Sequence, residues 1–283
     1  MEFNNSKVAL VTGASSGIGH ATAIALQAAG FYVVATAPNL QDLEDLKQRN
    51  IETLELDVTD PVSSQNAVWQ AESHNGAIQV LVNNAGYGQY GPIEEIPIEA
   101  VRNQFETNVF GLLRMCQLVL PQMRAKGEGR IINLSSVAGE IKQPGSGIYH
   151  ATKHAVEAID GALRNEVRTF NIQVIGILPG PVNTNFDEIA VSTIPDTGPD
   201  SPYHIFKQNL AKSTKEMLKP GGTGVLEPED VAKTIVEAAT TENPKDRYHV
   251  GLISKAFAAA YHLTPDKIWD AAVSSMIPVD EIK

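Results

Sequence analysis

Thr12-Gly13-Ala14-Ser15-Ser16-Gly17-Ile18-Gly19 is the stretch that decides how this chain folds. Ahead of it, Lys7 to Thr12 is a short apolar run, as expected of a strand buried on both faces. Behind it, Ile18 to Ala29 reads as a helix. A glycine-rich turn between strand and helix has a physical use. Glycine reaches backbone angles closed to other residues and lets a pyrophosphate approach the main chain. The helix N-terminus adds free N–H groups and a favourable dipole. The spacing matches neither G-x-G-x-x-G nor a P-loop, since no Gly-Lys-Ser/Thr follows. Taken alone, the turn is also compatible with an ordinary strand-to-helix connection.

Outward from the turn the pattern alternates. Strands are expected at Phe31 to Thr36, Thr53 to Asp57, Ile78 to Val82, Arg130 to Leu134 and Ile172 to Leu178. Helices are expected at Asn39 to Gln48, Val62 to Ser73, Ile98 to Arg124 and Tyr149 to Arg168. Such alternation implies right-handed crossovers and an α/β, doubly wound parallel sheet with helices on both faces. Ligands of such sheets bind beyond the carboxyl ends of the strands. From Asn185 to Gly224 the strand pattern stops, and Gly and Pro cluster at both ends. Residues 185–225 are therefore expected to form a lid over the substrate, with Tyr203, Phe206, Leu210, Met217 and Leu218 as its apolar face. Simple packing of that face on the core is the competing reading. A helix at Pro228 to Ala239, a last strand at Arg247 to Gly251 and a helix at Lys255 to Met276 complete one domain spanning 1–283.

Composition narrows the function. The formal charge of -11 argues against nucleic acid or an anionic membrane as partner, because a diffuse negative field repels phosphate. Cys116 is the only cysteine, so no intrachain disulfide forms, and it reads as a small buried hydrophobe. Neither a Cys pair nor His-Glu-x-x-His is present, so no metal site is expected, and the absence of G-x-S-x-G leaves a hydrolase unsupported. The segment Met1 to Lys7 lacks the apolar core of a signal peptide. Val109 to Leu120 comes closest to a membrane span, but Arg114 and Gln117 interrupt it. A cytoplasmic location is expected.

Several later motifs fall at the ends of the expected strands. These are Asp57-Val58, Asn84-Ala85-Gly86, Ser135-Ser136 and Pro179-Gly180-Pro181-Val182-Asn183-Thr184. Asn108 lies in the long helix, and Tyr149-x-x-x-Lys153 opens another. In this order and spacing, residues 7 to 185 resemble the short-chain dehydrogenase/reductase family, and the tail resembles it more loosely. The resemblance implies a single-domain Rossmann-type fold and a hydride passed between a nicotinamide and a carbonyl or alcohol. It assigns cofactor contacts to Gly13, Ser15, Ser16, Gly17, Ile18, Gly19, Asp57, Val58, Asn84, Ala85, Gly86, Tyr149, Lys153, Pro179, Gly180, Val182 and Thr184. It also implies pairing of subunits through the two long helices, as a homodimer or homotetramer.

The catalytic set follows from chemistry and resemblance together. Tyr149 and Lys153, four residues apart, share a helix face. A free tyrosine has a pKa near 10, and a neighbouring ammonium stabilises its phenolate. Tyr149 is the expected acid/base, and by resemblance Lys153 also binds the nicotinamide ribose. Ser136, 13 residues before Tyr149 as in the family, is preferred over Ser135 for holding the substrate oxygen. Asn108 matches the asparagine that holds a water linking Lys153 to solvent. His150 and His154 leave the Tyr149/Lys153 face and read as structural.

The position at the end of the second strand where NAD-binding relatives carry an acid is Ala37, followed by Pro38 rather than an arginine. Loss of the acid removes a repulsion against a 2′-phosphate, which Ser15, Ser16 and Thr36 could hydrogen-bond. NADP(H) is therefore favoured over NAD(H). Tyr87-Gly88 and Arg247-Tyr248-His249-Val250-Gly251 are similar to the retinol and hydroxysteroid dehydrogenase branch, which implies a lipophilic small-molecule substrate. Two other readings compete. One is a nucleotide-binding sensor without turnover, against which the intact Asn108, Ser136, Tyr149 and Lys153 set argues. The other is a sugar-nucleotide epimerase, which generally carries a larger C-terminal domain and a different glycine spacing.

Overall fold

Seven strands line up in one parallel sheet in the order β3-β2-β1-β4-β5-β6-β7. They are β1 Val8–Val11, β2 Tyr32–Ala37, β3 Glu52–Glu55, β4 Ile78–Asn83, β5 Gly129–Leu134, β6 Ile172–Pro179 and β7 Arg247–Val250. The computed structural model describes residues 7–217, 219 and 221–278. The expected N-terminal reading of Met1 to Ser6, and Leu218 of the expected lid face, lie outside these residues. Among the described residues no helix is long and apolar enough to cross a membrane.

The sheet is buried on both faces, and its side chains divide with a period of two. Ala9, Val11, Val80, Val82, Ile132, Ile175 and Ile177 enter one core, covered by α1 (Gly17–Ala28), α2 (Glu44–Gln48) and α9 (Pro228–Thr240). Val8, Leu10, Leu81, Ile131 and Val174 enter the other, covered by α3 (Pro61–Asn75), α5 (Leu112–Lys126) and α6 (Gly147–Val167). This is the doubly wound Rossmann-type architecture. Cys116 is fully buried in the second core.

Three helices differ from the sequence reading. The expected rod from Ile98 to Arg124 is α4 (Ile98–Phe105), a π turn at Glu106–Gly111, and then α5. The π turn tucks Gly111 onto Val58, where a β-carbon would stand 2.8 Å from Val58 Cγ2. Asn39 to Gln48 is a 3₁₀ turn at Leu40–Leu43 followed by the short α2. The expected single helix from Lys255 to Met276 is two, α10 (Leu252–Leu263) and α11 (Asp266–Met276), because Pro265 cannot continue α10. The remaining helices, α7 (Phe186–Ser192) and α8 (His204–Met217), lie in the expected lid segment.

Strand order reverses direction beside β1, which pairs with β2 on one side and β4 on the other. A crevice opens at such a switch point beyond the strand ends. Here it is stitched by side chains. Thr12 Oγ1 accepts from the N–H groups of Asn84 (3.0 Å) and Ala85 (3.1 Å). Asn84 Nδ2 donates to Thr12 O (3.0 Å) and Gly13 O (2.9 Å). Replacing Thr12 by valine keeps the shape and removes the shared acceptor. Unsatisfied buried N–H groups cost about 2 kcal/mol. Thr12→Val is therefore expected to lower the unfolding free energy by about that amount in urea denaturation; unchanged stability would mean that the two N–H groups find other partners.

Candidate active site

The glycine-rich turn leaves β1 and enters α1 directly. Gly13 has φ +64, and a β-carbon on it would stand 2.9 Å from Ala85 Cα. On Gly19 it would stand 2.3 Å from Gly13 O, so only glycine lets the turn close this tightly. Ser16 is the N-cap of α1, and its side chain makes no capping bond. The first N–H groups of α1 therefore face the crevice without a side-chain cap. This cradle of close-approaching glycines and helix N–H groups fits a pyrophosphate.

The crevice continues into a cavity of about 280 Å³. Of the expected cofactor contacts, Gly13, Ser16, Gly17, Ile18, Asn84, Gly86, Pro179, Gly180, Val182 and Thr184 line it, together with Ser136, Tyr149 and Lys153. These expected site residues come together from five different segments of chain. Ser15, Gly19 and Ala85 do not line the cavity. Asp57 and Val58 also stand apart. The Asp57 carboxylate accepts from Thr59 N (2.8 Å) and Thr59 Oγ1 (2.7 Å), closing its own turn, while Val58 is buried. Thr36 corrects an expectation. Its side chain is fully buried and its hydroxyl donates to Val11 O at 3.0 Å, so that hydrogen is spent inside the sheet rather than offered to a 2′-phosphate.

The ring of Tyr149 forms a triangle with those of Tyr90 (centroids 6.2 Å away) and Phe186 (5.4 Å), which are 6.3 Å from each other. Burial pushes its phenol up to about 12, and the adjacent Ser136 hydroxyl pulls the other way. Lys153 Nζ stands 5.8 Å from the centre of that ring and donates to Leu134 O at 2.6 Å. Burial draws its ammonium down to about 8, opposed by the carboxylates of Glu157 and Asp160. Ser136 Oγ accepts from Ala138 N at 3.1 Å, which leaves its hydrogen free for another acceptor. Ser135 also reaches the cavity lining, but its hydroxyl oxygen is buried without a partner.

Asn108 sits in the π turn and does not line the cavity. Its carboxamide donates to Tyr87 O (2.9 Å) and Thr152 Oγ1 (3.2 Å) and accepts from Tyr87 N (3.1 Å). Both amide hydrogens are thus taken by protein, which leaves only the oxygen's second lone pair for a water. His150 departs from expectation by lining the cavity. Its Nδ1 lies 2.7 Å from Ile141 O, and burial pulls its pKa down to about 4, so the ring is neutral. His154 stays away from the cavity, beside His150 O.

The segment expected as a lid contributes residues to the lining of the cavity. Leu210 and Met217 of α8 line it, as do Phe186 and Ile189 of α7. Phe206 is buried but packs behind, with Leu210 and Ile277. The lid is bolted to the loop after β4. Lys207 and Glu95 form a nearly buried ion pair at 2.8 Å, Tyr203 Oη donates to Glu94 at 2.6 Å, and Gln89 Nε2 donates to Thr193 O at 2.7 Å. Tyr90, Ile141, Phe257 and Ile277 also line the cavity and were not read from sequence. Only Phe186 had a local signal, an apolar residue just past the Thr184 turn. No carboxylate or guanidinium lines the cavity among the described residues.

Comparison with known proteins agrees with this geometry. The family model described as short chain dehydrogenase matches residues 7–193. An NADPH-dependent 3-dehydrocapnine reductase of Ornithobacterium rhinotracheale is 37% identical, over 93% of this chain and 95% of its own length. A 3-ketodihydrosphingosine reductase of Bacteroides thetaiotaomicron is 36% identical, over 94% and 96%. The crystal structure of a short-chain dehydrogenase from Streptomyces avermitilis superposes with a TM-score of 0.79 at 33% identity, covering 96% of each chain. With its parallel sheet and glycine-rich turn, the chain belongs to the short-chain dehydrogenase/reductase family of nicotinamide-dependent oxidoreductases.

Proposed function

We propose that this enzyme reduces a lipophilic ketone or aldehyde with NADPH. One observation carries the reading: Ser136, Tyr149 and Lys153 share one wall of a largely apolar cavity that runs on from the phosphate cradle. When bound, the nicotinamide supplies the hydride. Tyr149 is protonated through the neutral range, the form that reduction needs, and donates its hydroxyl hydrogen to the substrate oxygen. Ser136, whose Oγ is already held by Ala138 N, points its own hydrogen at the same oxygen and stabilises its developing charge. Lys153 holds the cofactor ribose and sets a positive charge beside the tyrosine. Asn108 ties the Tyr87 turn to Thr152 and keeps one acceptor site for the water that would connect Lys153 to solvent.

The substrate side favours an uncharged, apolar molecule. Ile141, Phe186, Leu210, Met217 and Phe257 bring hydrocarbon surface, and among the described lining residues Lys153 is the one cation, with no carboxylate or guanidinium beside it. Two relatives whose names describe the reduction of a 3-dehydro and a 3-keto compound support a ketone. The test is NADPH consumption by the purified protein over a panel of lipophilic ketones and aldehydes. Tyr149→Phe is expected to lower turnover at least ~100-fold while NADPH still binds; a variant that turns over like the parent would remove Tyr149 from this role.

NADPH is preferred because β2 ends at Ala37 without a carboxylate, with Ser15 and Ser16 left to meet a 2′-phosphate. NADPH is expected to bind more tightly than NADH in a fluorescence titration. Ala37→Asp is expected to weaken NADPH about tenfold or more by charge repulsion. Tighter NADH binding by the parent would reverse the assignment.

Two copies pair through α4, α5 and α6 in this reading. Ile98 and Phe110 are 61% and 50% exposed there, and α6 presents small residues, Ala151 and Ala158. Light scattering on a sizing column is expected to give a dimer or tetramer, with Phe110→Glu shifting it toward monomer; a monomeric parent would exclude the pairing.

A further inference from the structure

Three ionisable side chains follow one another on one buried face of α6. Lys153, Glu157 and Asp160 are spaced i, i+4 and i+7, and are only 7%, 7% and 1% exposed. The reaction described above uses the first and leaves the two acids unexplained. Buried charges are costly unless paired, so two acids in succession beneath a reactive lysine call for a reason.

Their surroundings are specific. Glu157 Oε2 meets Arg247 Nε of β7 at 2.9 Å. Beyond Arg247, neither Glu157 oxygen finds a hydrogen-bond donor among the described residues. Asp160 Oδ1 accepts from Asn133 Nδ2 of β5 at 2.5 Å, and Asn133 in turn accepts from Asn83 Nδ2 of β4 at 2.9 Å. Asp160 Oδ2 is unpartnered. Both carboxyl groups converge over Gly176 of β6, where a β-carbon would lie 3.3 Å from Asp160 Oδ2 and 3.5 Å from Glu157 Oε1.

The other groups near this cluster are few. Arg247 also approaches Glu140 at 3.7 Å, and Glu140 pairs with His249 of β7 at 2.9 Å. Cys116 of α5 faces Asp160 with a thiol that burial pushes up to about 12. Arg164 lies one turn beyond Asp160, and Tyr149 one turn before Lys153. Among the described residues the Lys153 ammonium has only the dipole of Leu134 O as a direct partner. Burial raises Asp160 to about 7, despite the hydrogen bond from Asn133, so this acid holds a proton through much of the neutral range. Of the two acids, Glu157 is the one an arginine pairs, Arg247 Nε standing 2.9 Å from its Oε2.

We propose that Glu157, anchored by Arg247 and backed by Asp160, is a positioning residue whose negative charge keeps the Lys153 ammonium charged at the working pH of the enzyme. The proposal rests on the assignment of Lys153 made above. Its sign is definite. A lysine is active here in its protonated form, and a neighbouring anion raises its pKa. Removing the anion lets the lysine lose its proton at lower pH.

The experiment follows kcat/KM of the holoenzyme with NADPH and an accepted ketone from about pH 6 to about pH 10. NADPH affinity is measured by fluorescence over the same range without substrate. In the parent, both are expected to fall on the alkaline side as Lys153 deprotonates. Glu157→Gln, equal in size and uncharged, is expected to move the fall to lower pH by about one unit. Arg247→Gln leaves the Glu157 charge uncompensated and is expected to move it to higher pH. A loss of packing alone would not shift the two variants in opposite directions. An unmoved fall in Glu157→Gln, or the same direction in both variants, overturns the proposal. Lys153→Arg separates the two levels, because a guanidinium does not titrate in this range. Its alkaline fall should vanish; persistence there would overturn the Lys153 assignment itself, whereas its loss beside an unmoved Glu157→Gln profile would sink only the role of Glu157.

Discussion

The clamp between Thr12 and Asn84 is the contact on which the rest of the site depends. Two side chains at the ends of neighbouring parallel strands make four hydrogen bonds to backbone groups across the switch point. They hold the crevice at a fixed width while leaving the glycine turn free of side chains. Because every strand of a parallel sheet ends on the same edge, the segments after β4, β5, β6 and β7 all arrive at this crevice. The Ser136 loop, the start of α6 and the Pro179–Thr184 turn thereby reach one cavity from distant parts of the chain.

Burial governs the chemistry of that cavity more than pairing does. Tyr149 rises and Lys153 falls for the same reason, since each is taken out of water and its charged form is penalised. A neighbouring ammonium alone does not bring the phenol into the neutral range. The outcome is a protonated tyrosine beside a lysine whose charge depends on acids deeper in α6. The site is thus layered, with Ser136, Tyr149 and Lys153 lining the cavity and the Glu157–Arg247 pair further along α6.

The lid shows a second balance. Its inner surface is apolar, yet what fastens it is polar: Lys207 with Glu95, Tyr203 with Glu94, and Thr193 with the backbone around Tyr90. Hydrocarbon contacts are non-directional and would permit many lid positions, whereas an ion pair and directed hydrogen bonds select one. The side chain of Phe186 reaches Tyr149 because the lid is held in that position.

The seven strands, the glycine turn and the spacing of Ser136, Tyr149 and Lys153 were legible in the sequence. These rest on local rules: apolar runs for buried strands, backbone freedom for the turn, and helical period for residues four apart. The rules weaken where neighbours distant in sequence decide. The π turn at Glu106–Gly111 reflects how Gly111 meets Val58, and the break at Pro265, though written in the chain, lay inside an otherwise helical pattern. Thr36 reads as a polar residue at a strand end, but the sheet takes its hydroxyl hydrogen. His150 points away from Tyr149 by helical period and still borders the cavity, because the cavity curves around the start of α6. Tyr90, Ile141, Phe257 and Ile277 become wall residues only through packing of loops and tail. Glu157 and Asp160 carry no local signal in the sequence, and only the packing of β6 and β7 buries them. Sequence determined the order of elements and the spacing of the candidate groups Ser136, Tyr149 and Lys153, because both follow from neighbours along the chain. Tertiary structure alone decided which of those groups share a cavity and which charges are buried, because desolvation is a property of everything packed around an atom.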